Sequence, residues 1–153
     1  MKFTPGLILR IKDYKFEDDG STRDKYSVVL YADDEQAYLI HTLTTTQNNL
    51  AVPEAAFGCS VYKNIPYFFI PQGQVWGDAG FYFDKNTFIF FLNNVRREKL
   101  EKLEKAAAAS IFGIAALGKL SNEELKRLIK CALKSKFVPE EIVKQLTEFK
   151  NTM

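Results

Sequence analysis

The chain has 153 residues, 46% of them hydrophobic and 14% aromatic, and a formal net charge of +2. That is the length of one ordinary domain with ample apolar material for a core, which excludes a disordered chain. The charge is too small to argue nucleic-acid binding by itself.

The first strand is expected where Leu7, Leu9 and Ile11 alternate with Ile8, Arg10 and Lys12, the period of a half-buried strand. Residues 17–24 form a polar loop with turn chemistry at Asp19-Gly20. A second strand follows over 26–31, and Asp33-Asp34-Glu35 is a tight polar connection to a third over 37–44. Ser60-Val61-Tyr62 and Tyr67-Phe68-Phe69-Ile70 are further short strands. Phe81-Tyr82-Phe83 and residues 87–92 flank Asp84-Lys85-Asn86 as a hairpin. Six or seven short strands in the first 95 residues are the pattern of a small barrel or curled sheet.

The composition changes near Asn93-Asn94. Residues 1–95 hold 18 of the 21 aromatics and carry 8 Lys+Arg against 11 Asp+Glu; residues 96–153 carry 13 against 8, a net +5. The second part reads as helical. Good helix formers run through 95–109, with only Leu100 and Leu103 as apolar anchors, so this helix is expected on the surface. Residues 110–117 are apolar nearly all round and are expected to be buried. Ser121-Asn122-Glu123-Glu124 is a capping box opening a helix with Leu125, Leu128, Ile129, Ala132 and Leu133 on one face. Pro139 suits the first turn of a last helix, whose stripe is Ile142, Val143, Leu146 and Phe149.

Cys59 and Cys131 stand far apart and lack metal-ligand spacing. They are expected to be buried, reduced thiols; a disulfide is open to them, but nothing in the sequence favours it. No charged-then-apolar N-terminal signal and no apolar run near about 18 residues is present, so no membrane contact and a cytoplasmic location are expected. Asp18-Asp19 and Asp33-Asp34-Glu35 fit no calcium-loop spacing, and there is no glycine-rich phosphate loop. No cofactor or metal is expected.

The order of features near the N-terminus is specific. Pro5-Gly6 precedes the first strand, the loop over 17–24 follows, and Lys25-Tyr26-Ser27-Val28-Val29-Leu30 opens the second strand with a cation. Leu39-Ile40-His41-Thr42-Leu43-Thr44-Thr45-Thr46 then closes the third with hydroxyls. Over about the first 50 residues this order resembles the MazF/PemK family of small-barrel bacterial toxins. Lys25-Tyr26 stands where that family has an Arg-Pro pair; lysine offers a point charge rather than a bidentate fork, and Arg23 lies two residues earlier.

The expected fold is thus α+β: a small twisted antiparallel β-barrel, SH3-like and of the MazF/PemK type, over residues 1–95, with a helical C-terminal extension over 96–153 packed on it. The resemblance implies a metal-independent endoribonuclease of a bacterial type II toxin–antitoxin pair. It also implies a homodimer, an antitoxin protein as partner and single-stranded RNA as substrate. Such cleavage needs a base for the ribose 2′-OH, an acid for the leaving oxygen, and donors for the charge growing on phosphate. Arg23 or Lys25 would stabilise that charge. Thr44, Thr45 and Thr46 would bind the phosphate, and Asp84 or His41 would handle protons. Trp76 would stack a base.

Each candidate also has a plainer role. His41 shares a strand side with Leu39 and Leu43, as a hydrogen-bonded, half-buried histidine does. Asp84 suits a turn, the threonines suit a strand end, and tryptophan is common in cores. The alternative function is a catalytically inactive small-barrel module that binds a protein partner or nucleic acid, the +5 tail supplying the contact.

Overall fold

The alternating residues of the first strand pack apolar side chains on both of its faces. β1 (Leu7–Lys15) directs Ile8 into one core cluster and Leu9 and Ile11 into another, and Ile8 and Leu9 are fully buried. The strand expected to be half-buried is thus covered on two sides. The structure, a computed structural model, describes residues 2–15, 22–109 and 113–153. The loop turn at Asp19-Gly20 lies outside the described residues.

The fold is α+β, with eight strands in two antiparallel sheets and three helices among the described residues. After β1 come β2 (Thr22–Asp33), β3 (Tyr38–Leu43), β4 (Gly58–Tyr62), β5 (Ile65–Ile70), β6 (Thr87–Phe90) and β7 (Val95–Lys99). Then follow α1 (Leu100–Ala109), β8 (Ile114–Lys119), α2 (Asn122–Leu133) and α3 (Glu140–Asn151). One sheet runs β7-β3-β2-β1-β8 and the other β4-β5-β6. A bridge joins them: Thr45 and Phe88 exchange backbone hydrogen bonds at 2.9 and 2.7 Å.

The main core lies between the five-stranded sheet, β5, β6 and the last two helices. It holds Val28, Leu30, Ile40, Phe68, Ile89, Leu128, Ile129 and Leu146. A second cluster covers the opposite face of the five-stranded sheet with Leu100 and Leu103 of α1. Burying each such aliphatic side chain contributes about 1.5–3 kcal/mol. This double cover explains why every residue of β3 is buried.

Several expectations are corrected. Residues 95–99 do not open the helix; they form β7, and α1 starts at Leu100. Their helix propensity is a weak preference that pairing with β3 overrides. Val95 enters the core, and the Arg97 guanidinium lies 3.8 Å from the Tyr38 ring centroid. The apolar run expected to be buried ends in β8, an edge strand in which Ile114 is buried and Ala116 exposed; residues 110–112 lie outside the described residues. The part read as wholly helical therefore supplies both edge strands of the larger sheet.

Phe81-Tyr82-Phe83 is not a strand. It follows a short 3-10 turn over Asp78–Gly80, and Phe81 and Phe83 meet edge to face at 5.0 Å. The hairpin between β4 and β5 turns at Lys63-Asn64, where φ is +50° and +65°, the paired positive φ of a type I′ turn.

The helix signals near the C-terminus are present. Glu124 N–H donates to Ser121 Oγ at 3.1 Å, capping α2. Pro139 stands one position earlier than expected, at the N-cap of α3. Cys59 and Cys131 are not free thiols: they form a disulfide between β4 and α2, with Cα atoms 5.7 Å apart. Sequence spacing could not show this, because only the docking of α2 on the smaller sheet brings the two together. Among the described residues, no helix is long and apolar enough to cross a membrane.

Candidate nucleic-acid interface

The ladder between β2 and β3 sets the site. Ser27 stands opposite Leu43, and one step further Thr44 N–H donates to Tyr26 O at 3.0 Å. The same register brings Lys25 beside the strand end, where its Nζ donates to Thr44 O at 3.0 Å. Beyond β3 the chain turns away to bridge Phe88, so its three hydroxyl residues lie at the junction of the two sheets.

A cleft of about 510 Å³ opens at this junction. Lys25, Thr44, Thr45, Thr46, Arg96 and Asp24 are among the residues that line it, over a floor that includes Leu43 and Phe90. The volume falls within the range typical of small-ligand clefts, roughly 300–1,000 Å³. Thr44 is buried and donates through Oγ1 to Tyr26 O at 3.3 Å. Thr45 Oγ1 accepts from Gln47 N–H at 3.1 Å, and Thr46 is exposed. Arg96 Nε donates to Asn93 O at 2.9 Å, which holds its guanidinium at the rim. Tyr26, 37% exposed, presents a ring there and packs edge to face on Phe83 at 5.6 Å.

The structure therefore brings Lys25, Thr44, Thr45 and Thr46 together and leaves other candidates elsewhere. Arg23 lies on β2 opposite Tyr14; its side chain is outside the described part. Asp84 sits on an exposed bend and does not line the cleft. Trp76 is a core residue, packed 5.6 Å from Phe68, with its indole N–H donating to Glu124 at 3.2 Å. That position leaves it no face for stacking a base.

His41 is fully buried in β3. Its Nδ1 shares a hydrogen bond of 2.5 Å with Ser27 Oγ, and its Nε2 lies 3.6 Å from Glu98 Oε1. Lys102 Nζ reaches the other Glu98 oxygen at 3.0 Å. The serine–histidine–carboxylate order is that of a hydrolytic triad, but Ser27 and His41 are both wholly enclosed, so neither offers a face to a substrate. Burial pushes the Glu98 carboxyl up; the hydrogen bonds and charge of His41 and Lys102 outweigh it and hold it down at about 2. The group is an internal polar clamp between β2, β3, β7 and α1.

Sequence reasoning missed Arg96 and Asn94, because Arg96 lies within, and Asn94 just before, the stretch read as a helix. Asn94 Nδ2 donates to Thr42 Oγ1 at 3.1 Å and Leu43 O at 2.9 Å, tying the start of β7 to the end of β3. The available signal was Asn93-Asn94, one residue before the Arg96-Arg97 pair. Among the described residues, no group of three His, Cys, Asp or Glu side chains gathers to hold a metal. In comparison with known proteins, the chain matches no family model, no curated protein and no solved structure.

Proposed function

We propose that the cleft binds single-stranded RNA through its phosphate backbone, the chain acting as a binding module of the small-barrel, MazF/PemK-like kind. The observation that carries this reading is that Lys25, Arg96 and Thr44–Thr46 line one cleft from three different segments. Two cations supply charge for a phosphate, the Thr45 and Thr46 hydroxyls supply donors, and the Tyr26 ring offers a stacking surface at the rim. Two antiparallel sheets bridged at Thr45 and Phe88 suit a small-barrel architecture.

A second reading, RNA cleavage by a toxin of a toxin–antitoxin pair, is favoured by Asp24, a carboxylate in the same cleft. Asp24 would take the 2′-OH proton, and Lys25 and Arg96 would hold the charge that grows on the phosphoryl oxygens. A protein antitoxin, a homodimer and a cytoplasmic location belong to this reading.

The test is fluorescence anisotropy with a labelled single-stranded RNA over a salt series, followed by a gel of the same RNA. Binding is expected to weaken with salt, at a slope of about 0.7 per phosphate neutralised. The doubly substituted Lys25→Ala, Arg96→Ala protein is expected to bind at least about tenfold more weakly at low salt, a loss of roughly 1.4 kcal/mol. Equal binding by that variant and the parent, at unchanged circular dichroism, overturns the proposal. Intact RNA on the gel rejects the cleavage reading; fragments that vanish with Asp24→Asn support it.

A further inference from the structure

We propose that the Cys59–Cys131 disulfide is an exchange site for a small anionic thiol, which forms a mixed disulfide on Cys59. The two sulfurs differ sharply in access. Cys131 is fully buried on α2, whereas Cys59 is an exposed residue of β4, the edge strand of the smaller sheet. Disulfides that are exposed are the labile and regulatory ones, and access decides which sulfur is attacked.

A pocket of about 260 Å³ opens over the bond, lined by both cysteines. Phe57 and Phe68 supply an apolar wall, and Arg127, Lys130 and Lys134 supply cations. Among the described residues, Glu124 is the carboxylate lining it, and it is committed: Oε2 accepts from Trp76 Nε1 at 3.2 Å and Oε1 from Arg127 at 2.8 Å. Arg127 is further held by Glu123 at 3.2 Å. Among the described residues, no carboxylate pairs with Lys130 or Lys134, and both are exposed. The charge left to a visitor is therefore positive. A thiol that carries carboxylates meets attraction there, and a cationic thiol meets repulsion.

The reaction is a balanced exchange. The incoming thiolate attacks Cys59 Sγ along the open side. A new S–S bond forms between the visitor and Cys59 as the Cys59–Cys131 bond breaks, and the electron pair leaves on Cys131 Sγ. The proton lost by the incoming thiol ends on Cys131. One disulfide is consumed and one is made, so no outside oxidant is required. The exchange unties β4 from α2, because β4 pairs only with β5 within its sheet.

The test uses the oxidised full-length protein with three probes at equal thiolate concentration: glutathione (anionic), 2-mercaptoethanol (neutral) and cysteamine (cationic). Samples are quenched with N-ethylmaleimide in denaturant, so that the buried Cys131 is also labelled, and mapped by mass spectrometry. The expected result is the adduct on Cys59, maleimide on Cys131, and a glutathione rate about tenfold above cysteamine that falls with salt. Lys130→Glu with Lys134→Glu is expected to erase the preference for glutathione over cysteamine, at a circular dichroism spectrum unchanged from the parent. Adduct on Cys131, equal rates for the three probes, or no exchange in the folded protein overturns the proposal. So does a preference that survives the charge reversal.

Discussion

Removing the Cys59–Cys131 bond tests how the two sheets and the helices hold together. The bonded residues are 72 apart in sequence, so the cross-link closes a long loop in the unfolded chain. In the chain-entropy model a loop of that length is worth about 4.4 kcal/mol at 25 °C. Typical net domain stability is only about 5–15 kcal/mol, so the loss would be large. The perturbation is reduction by a phosphine, with Cys59→Ala, Cys131→Ala as an independent second route. The assay is equilibrium urea unfolding, oxidised against reduced, followed by tryptophan fluorescence; Trp76 is buried and reports the main core. With an m-value of about 2 kcal/mol/M, the midpoint is expected to fall by about 2 M. The slope should rise on reduction, since the freed unfolded chain exposes more surface. A midpoint change below about 0.5 M at constant slope would refute the reasoning. It would mean that the packing of Leu125, Leu128 and Ile129 of α2 fixes the arrangement without help from the bond.

Glu98 makes stability depend on acid. Its folded-state pKa is held down at about 2, below the usual carboxylate value, so its contribution is complete above about pH 5 and is lost as pH falls through 2. The wild type is expected to lose up to about 3 kcal/mol more than Glu98→Gln between pH 5 and 2; parallel curves from acid titration of unfolding contradict it. Leu128→Ala, at a fully buried position, should cost about 2–5 kcal/mol by calorimetry, and a cost under about 1 would show that α2 does not seal the core. A Cβ on Gly118 would meet Phe81 Cβ at 2.9 Å, so Gly118→Ala should cost about 1–3 kcal/mol, and a neutral result would show that the segment around Phe81 yields freely.

Local chemistry was legible wherever one residue type performs one local task. Ser121 caps α2 because its hydroxyl answers a backbone N–H three residues away, and the stripe from Leu125 to Ala132 needs only helical period to lie on one face. A cation opening the second strand and hydroxyls closing the third were legible in the order of residues, but that Lys25 Nζ reaches Thr44 O depends on the register of β2 on β3. The placement of His41 on the side of Leu39 and Leu43 also followed from period alone, and all three lie with the core.

What the chain's order could not reveal depends on contacts between distant segments. Val95–Lys99 has the residues of a helix and becomes a strand because β3 has an open edge to pair with. Arg96 enters the cleft only through that pairing, and His41 is enclosed only because α1 and β7 close over its face. Cys59 and Cys131 meet only when α2 docks on the smaller sheet. Sequence by itself determined the α+β class, the capping of α2 and the apolar stripes of α2 and α3, because propensity, period and turn length act over a few residues. Tertiary structure alone decided which of the candidate residues share a cleft, which are sealed in the core and which cysteines are joined, because burial and pairing free energies act between residues that the chain order keeps apart.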